Sequence, residues 1–120
     1  HKFKVNFKVM SFFHNIYDEI YNADVIISRC GASTLAEIEY FNKFSILFPL
    51  PNSADNHQYY NAHEFKKNNK CEIIDQSDVN VKKLSLLIEK IFLSKSFNKY
   101  FKNKKTKKKS LDLIINNILD

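Results

Sequence analysis

Three short apolar runs, Ala23–Ser28 (ADVIIS), Ser45–Pro49 (SILFP) and Cys71–Ile74 (CEII), constrain this chain more than any other feature. The first two are nearly continuous runs that suit strands buried on both faces of a parallel sheet, and the third reads as a short strand. Helix-patterned stretches separate them. Ala32 to Phe41 spaces Leu35, Ile38 and Phe41 along one face, and His57 to Asn68 also reads as helical. Upstream, Lys2 to Phe12 alternates as a strand would. Asn15 can cap a short helix to Asn22 with Ile16, Ile20 and Tyr21 inward. This strand–helix alternation is that of an α/β fold with a parallel sheet and flanking helices. From Val79 onward the pattern predicts only helices. Val81, Leu84, Leu87, Ile88 and Ile91 share one face, and Leu111 to Leu119 forms a last amphipathic helix. The expected organisation is one domain, with an α/β core over 1–78 and a helical tail over 79–120.

Composition narrows the function classes. A chain of 120 residues with 44% apolar and 27% charged side chains reads as one globular domain. Its apolar runs fall far short of the ~20 residues that span a bilayer, and no signal peptide is visible. His1, not Met, opens the sequence, so the natural chain is expected to begin further upstream. The net charge of +6 rests almost wholly on lysine, with Arg29 the only arginine. Lys, Asn, Ile, Phe and Tyr are abundant while Gly, Pro and Trp are scarce, the set that AT-rich codons produce. The surplus therefore reads as a solvated surface, since a phosphate-reading surface more often uses arginine forks. Cys30 and Cys71 lack CxxC spacing and suggest reduced thiols, not a disulfide or a zinc site.

Two turns carry the polar residues that an α/β sheet places at its carboxyl edge, where ligands bind in such folds. In Ser28–Glu37 (SRCGASTLAE), small residues run straight into a helix. Its first backbone N–H groups, with the positive helix end behind them, make a ready anion site. Gly31, the only glycine, would permit close approach of a phosphate or a positive φ. Glu37, about one turn further, is placed to accept hydrogen bonds from a ribose diol. The plainer alternative is a helix capped by Ser33 or Thr34 with Glu37 an ordinary acid, and spacing leaves both open. In the second turn, Asp55-Asn56-His57-Gln58, amides and an imidazole can read sugar hydroxyls. Equally, Asp55 or Asn56 can be a helix cap and Gln58 a solvated residue. No metal-ligand spacing occurs, and His14 and His63 read as surface or helix-end residues.

Taken together, the two stretches resemble a known family. The run Ala23 to Ile38 (ADVIISRCGASTLAEI) is similar to the "ADLVISRAGAST…EI" signature of the MurG glycosyltransferases, and Pro49 to Gln58 with Asn61-Ala62 is similar to their "PLPxAADDHQxxNA" segment. Val9 to Ile16 (VMSFFHNI) looks like the family's preceding uracil-side loop, and the likeness extends to about Ile74. The resemblance implies the Rossmann-like carboxy-terminal half of a GT-B glycosyltransferase, an amino-terminally truncated UDP-sugar-binding domain. Such enzymes move N-acetylglucosamine from UDP-GlcNAc onto lipid I, making lipid II for peptidoglycan at the cytoplasmic face of the bacterial inner membrane. By similarity, Glu37 would hold the ribose, and the backbone of Ala32, Ser33 and Thr34 after Gly31 would face the diphosphate. The main chain of Phe13 would meet uracil, His57 and Gln58 the sugar hydroxyls, and Arg29 would shape or charge its loop. No catalytic residue, metal ligand or cofactor is implied in this chain. The acceptor domain, a glycine-rich loop and the base would lie upstream.

The chain departs from the family at Asn42 and Phe44, where members usually carry Gly and Pro. Asn tolerates the left-handed helix end that glycine supplies, so the turn is expected to survive. Two competing readings are a non-catalytic subunit needing a membrane-bound partner, and a basic nucleic-acid binder acting through Lys102–Lys109. The motifs favour the transferase reading, with no nucleic acid as partner.

Overall fold

The computed structural model describes residues 4–10, 16–93 and 110–116. The elements are β1 (Lys4–Met10), α1 (Ile16–Asn22), β2 (Val25–Ser28), α2 (Ala32–Tyr40), β3 (Phe44–Leu47), α3 (His57–Lys66), β4 (Cys71–Ile73), α4 (Val81–Leu93) and β5 (Ser110–Asn116). All five strands are parallel, in the order β1-β5-β2-β3-β4. The fold is α/β and Rossmann-like.

Strands β2 and β3 are buried along their whole lengths, which explains their unbroken apolar runs. Alternation sends Val25, Ile27, Phe44 and Ile46 to one face and Ile26 and Leu47 to the other. On the second face lie Ile20 and Ala23 at the end of α1, Leu35 and Ile38 of α2, and Ala62 and Phe65 of α3. On the first, Ile91 of α4 packs with Leu84, Leu87 and Ile88 beside it. This division follows from topology. The chain steps from β2 to β3 to β4 in one direction, so right-handed crossovers put their helices on one face. It then returns from β4 to the sheet centre, and α4, lying on that return, covers the opposite face.

Helix α2 ends as the departure from glycine required. Asn42 takes φ 52°, its N–H donates to Glu39 O (3.0 Å), and Lys43 N–H donates to Ile38 O (3.2 Å). This is the paired bonding of a Schellman cap, with Asn in place of Gly.

Three expectations are corrected. The segment predicted as a final helix from Leu111 contains strand β5, seated between β1 and β2. Residues 111, 114, 115 and 118 do fit a helical stripe. A short, Ile-rich run fits a central strand equally well, and only the vacancy beside β2, a non-local matter, decides. The helical tail is therefore confined, among the described residues, to α4. Tyr21 is not inward but 67% exposed, and among the described side chains of α1 it is Ile20 that is buried in the core. Val81, at the first turn of α4, is 83% exposed, ahead of the point where the helix meets the core. Among the described residues no helix is long and apolar enough to cross a membrane. The Lys102–Lys109 run lies outside the described residues.

Candidate functional site

The turns after β2 and β3 meet at the carboxyl edge of the sheet, interlocked by backbone and side chain. Phe48 N–H donates to Ser28 O (2.9 Å), continuing the ladder one residue beyond the strands. Arg29 is 6% exposed, and its Nη1 donates to Phe48 O (3.4 Å), so its guanidinium reaches inward beneath the loops. Ser28 Oγ donates to Arg29 O (2.8 Å). Arg29 thus links the turn after β2 to the end of β3.

Helix α2 begins on Gly31, its N-cap, at φ −67° and ψ 144°, and no side chain caps it. Ser33 Oγ instead donates to Glu37 Oε1 (3.5 Å). The plainer reading, in which Ser33 or Thr34 closes the helix end, therefore does not describe this turn. The first amides of α2 are left for solvent or a ligand, and Ala32 and Ser33 are exposed. A positive φ at Gly31 is likewise excluded, and nothing lies within 4 Å of where a Cβ would stand. Below this end, a shallow depression between α1 and α2 is lined by Tyr17, Ser33, Ala36, Glu37, Tyr40 and Phe41. The Glu37 carboxylate faces it as one of its polar walls.

The second turn is wound by its own residues. Asn52, Asp55 and Asn56 take φ of 61°, 52° and 56°, the left-handed region that Asn and Asp tolerate best. Asn56 is the N-cap of α3 but makes no side-chain cap bond. Ser53 Oγ accepts from Gln58 N–H (3.3 Å) instead. His57 is exposed on the first turn of α3. Gln58 folds back, its Oε1 accepting from both Cys30 N–H (3.0 Å) and Leu50 N–H (2.9 Å). Any contact of Gln58 with a sugar hydroxyl thus falls to its Nε2 donor. Asn61 Nδ2 donates to Cys30 O (3.2 Å).

The structure brings Arg29, Gly31, Ala32, Ser33, Thr34, Glu37, His57 and Gln58 to one edge, while Phe13 lies outside the described residues. Reading the sequence residue by residue missed Ser53, Tyr17 and the bonding role of Asn61. For Asn61 a signal existed, since it stands one helical turn after Gln58 in the same motif. Cys30 and Cys71 are free thiols in one core cluster. Burial pushes Cys30 up to about 12, the adjacent Cys71 adding to it and Arg29 opposing. Burial likewise raises Cys71 to about 11, against the pull of Lys66. Neither thiol is a nucleophile at neutral pH. Among the described residues no three His, Cys, Asp or Glu gather as a metal site would require.

An uncapped helix start, a carboxylate one turn below it and a facing row of amide side chains lie together at the carboxyl edge of a Rossmann-like domain, the edge at which ligands bind in such folds. More narrowly, the chain belongs to glycosyltransferase family 28, whose C-terminal domain it matches over residues 1–118. It is 45% identical over 86 residues, 70% of its length, to a protein of Rickettsia akari (strain Hartford) named UDP-N-acetylglucosamine–N-acetylmuramyl-(pentapeptide) pyrophosphoryl-undecaprenol N-acetylglucosamine transferase. Similarly named proteins of Rickettsia bellii (strain RML369-C) and Sulfurihydrogenibium sp. (strain YO3AOP1) are 42% and 38% identical over 73% and 79% of the chain. The chain spans 22%, 24% and 29% of the lengths of these three relatives. No solved structure matches it.

Proposed function

We propose that this chain is the donor-binding part of an inverting N-acetylglucosaminyltransferase that uses UDP-GlcNAc and acts on lipid I, forming lipid II at the cytoplasmic face of the inner membrane. The observation that carries the reading is Gly31. Every positive φ among the described residues belongs to Asn or Asp, so this chain meets left-handed backbone without glycine. Its only glycine stands at an ordinary φ with open space over it. Neither a positive φ nor packing asks for glycine there, and Ser, Asn or Asp would cap the helix better. Close approach of a ligand to the amides of α2 does ask for glycine.

In this reading the amides of Ala32, Ser33 and Thr34 hold the diphosphate and Glu37 accepts the ribose hydroxyls. The main chain of Phe13 meets uracil, and His57 with Gln58 faces the sugar. The acceptor hydroxyl attacks the anomeric carbon opposite UDP. Its proton passes to a base outside this chain while the sugar–phosphate bond breaks. The helix end and its amides stabilise the charge that develops on the departing diphosphate.

Gly31→Ala tests the reading. With φ −67° and nothing near the added Cβ, the substitution lowers thermal stability by no more than about 1 kcal/mol, the difference between glycine and alanine at a helix N-cap. UDP affinity, measured by calorimetry, falls by about tenfold or more, as loss of an aligned charge-assisted hydrogen bond would cause. A variant that binds UDP as tightly as the wild type would refute it.

A further inference from the structure

The direction of the anion-facing amides is set from outside the turn that carries them, by the side of α3. Gln58 and Asn61 lie three apart on that helix, hence on one stripe. The Gln58 carbonyl oxygen takes the N–H of Cys30 and of Leu50, tying both edge turns to one atom. Because both partners are N–H donors, the oxygen, not the amide nitrogen, must stand there. Asn61 holds the other side of the same residue through Cys30 O.

That carbonyl belongs to the peptide unit joining Cys30 to Gly31. The unit is planar and trans, so its C=O and N–H point in opposite directions. Drawing Cys30 O toward α3 therefore aims the Gly31 N–H away from α3, as the first amide before the uncapped start of α2. Cys30 itself is fully buried, which leaves the turn little freedom to compensate if this hold is lost.

The geometry points to Gln58 and Asn61 as positioning residues that orient the Gly31 amide row toward a ligand's diphosphate. The inference rests on the donor-binding reading above. It also makes Gln58 the physical joint between a diphosphate subsite on α2 and a sugar subsite on α3, since one side chain is bonded to both turns.

The test compares UDP with UMP, which share base and ribose but differ in the second phosphate. The two affinities are measured on the chain as it stands, for wild type, Asn61→Ala, Gln58→Ala and Asn61→Ser, the last retaining a short donor. Wild type prefers UDP. That preference shrinks about fivefold in both alanine variants and by less in Asn61→Ser, while UMP affinity holds within about twofold. The Gly31 amide resonance shifts in Asn61→Ala without ligand. A merely structural role would lower thermal stability and move UDP and UMP together. If wild type prefers UDP and the variants keep its preference, the positioning role is overturned and the donor-binding reading stands. If wild type shows no preference for UDP, the donor-binding reading fails and takes the positioning role with it.

Discussion

Between β2 and α2 the chain turns with no positive φ, held by Arg29 bonded to Phe48 O and by two side chains of α3 on Cys30. Between β3 and α3 it turns through three left-handed residues, Asn52, Asp55 and Asn56, and a bond from Gln58 N–H to Ser53 Oγ. The first turn is shaped by distant residues and offers backbone amides. The second is shaped by its own residues and offers side chains. A turn that must present N–H groups cannot spend them on local caps, so its form has to be imposed from elsewhere. A turn presenting side chains is free to fix its backbone locally.

The contrast breaks first at Arg29. Arg29→Ala removes a buried side chain and leaves a buried carbonyl short of a donor, and is expected to cost about 3 kcal/mol in urea unfolding. An unchanged urea midpoint would mean the first turn holds itself. Next comes a reversal between the two turns. Asn56→Ala places a less tolerant residue at φ 56° and should lower stability by about 2 kcal/mol, whereas Gly31→Ala, at an ordinary φ with open space, lowers it by no more than about 1 kcal/mol. Finding the two costs equal would erase the distinction drawn between local and imposed shape.

The smallest effect at neutral pH concerns the thiols beneath the first turn. Cys30 and Cys71 are held at about 12 and 11 in the fold, against an ordinary value near 9. Their contribution is therefore complete below about pH 9. Above it the unfolded chain loses its thiol protons first, so stability declines as pH climbs toward the folded values. Replacing both with alanine should flatten that decline, whatever it costs at pH 7. A stability curve equally steep above pH 9 in the double variant would locate the alkaline loss elsewhere.

Much of the α/β core was legible because its signals are local. The runs ADVIIS and SILFP are apolar on both faces, and Leu35 and Ile38 mark the inner side of α2 without help from the rest of the chain. The left-handed end at Asn42 was readable from side-chain chemistry alone. The site was legible as a set of residues, since the polar turns must fall at the carboxyl edge, but not as a set of bonds. That Gln58 would give its oxygen to two backbone amides depends on how α3 lies against the β2 turn. No spacing within the motif encodes that. Strand β5 was misread for a related reason. Leu111–Ile115 satisfies two periodicities over so short a run, and its state is decided by β1 and β2, far away in sequence.

Among the described residues, β1 is bonded to the sheet through β5 alone, with Lys4 beside Ser110 and Met10 beside Asn116. The gap between β1 and β2 is thus closed by the strand whose two pairings, Lys4 with Ser110 and Val25 with Leu113, span the greatest stretches of chain. Loop-closure entropy makes such pairings slow to form. During folding, β2, β3 and β4 can assemble from neighbouring segments while the β2 edge toward β5 stays open. Until β5 docks there, an unpaired parallel edge remains available to other chains, and the interval before docking is when this protein is most exposed to misassembly.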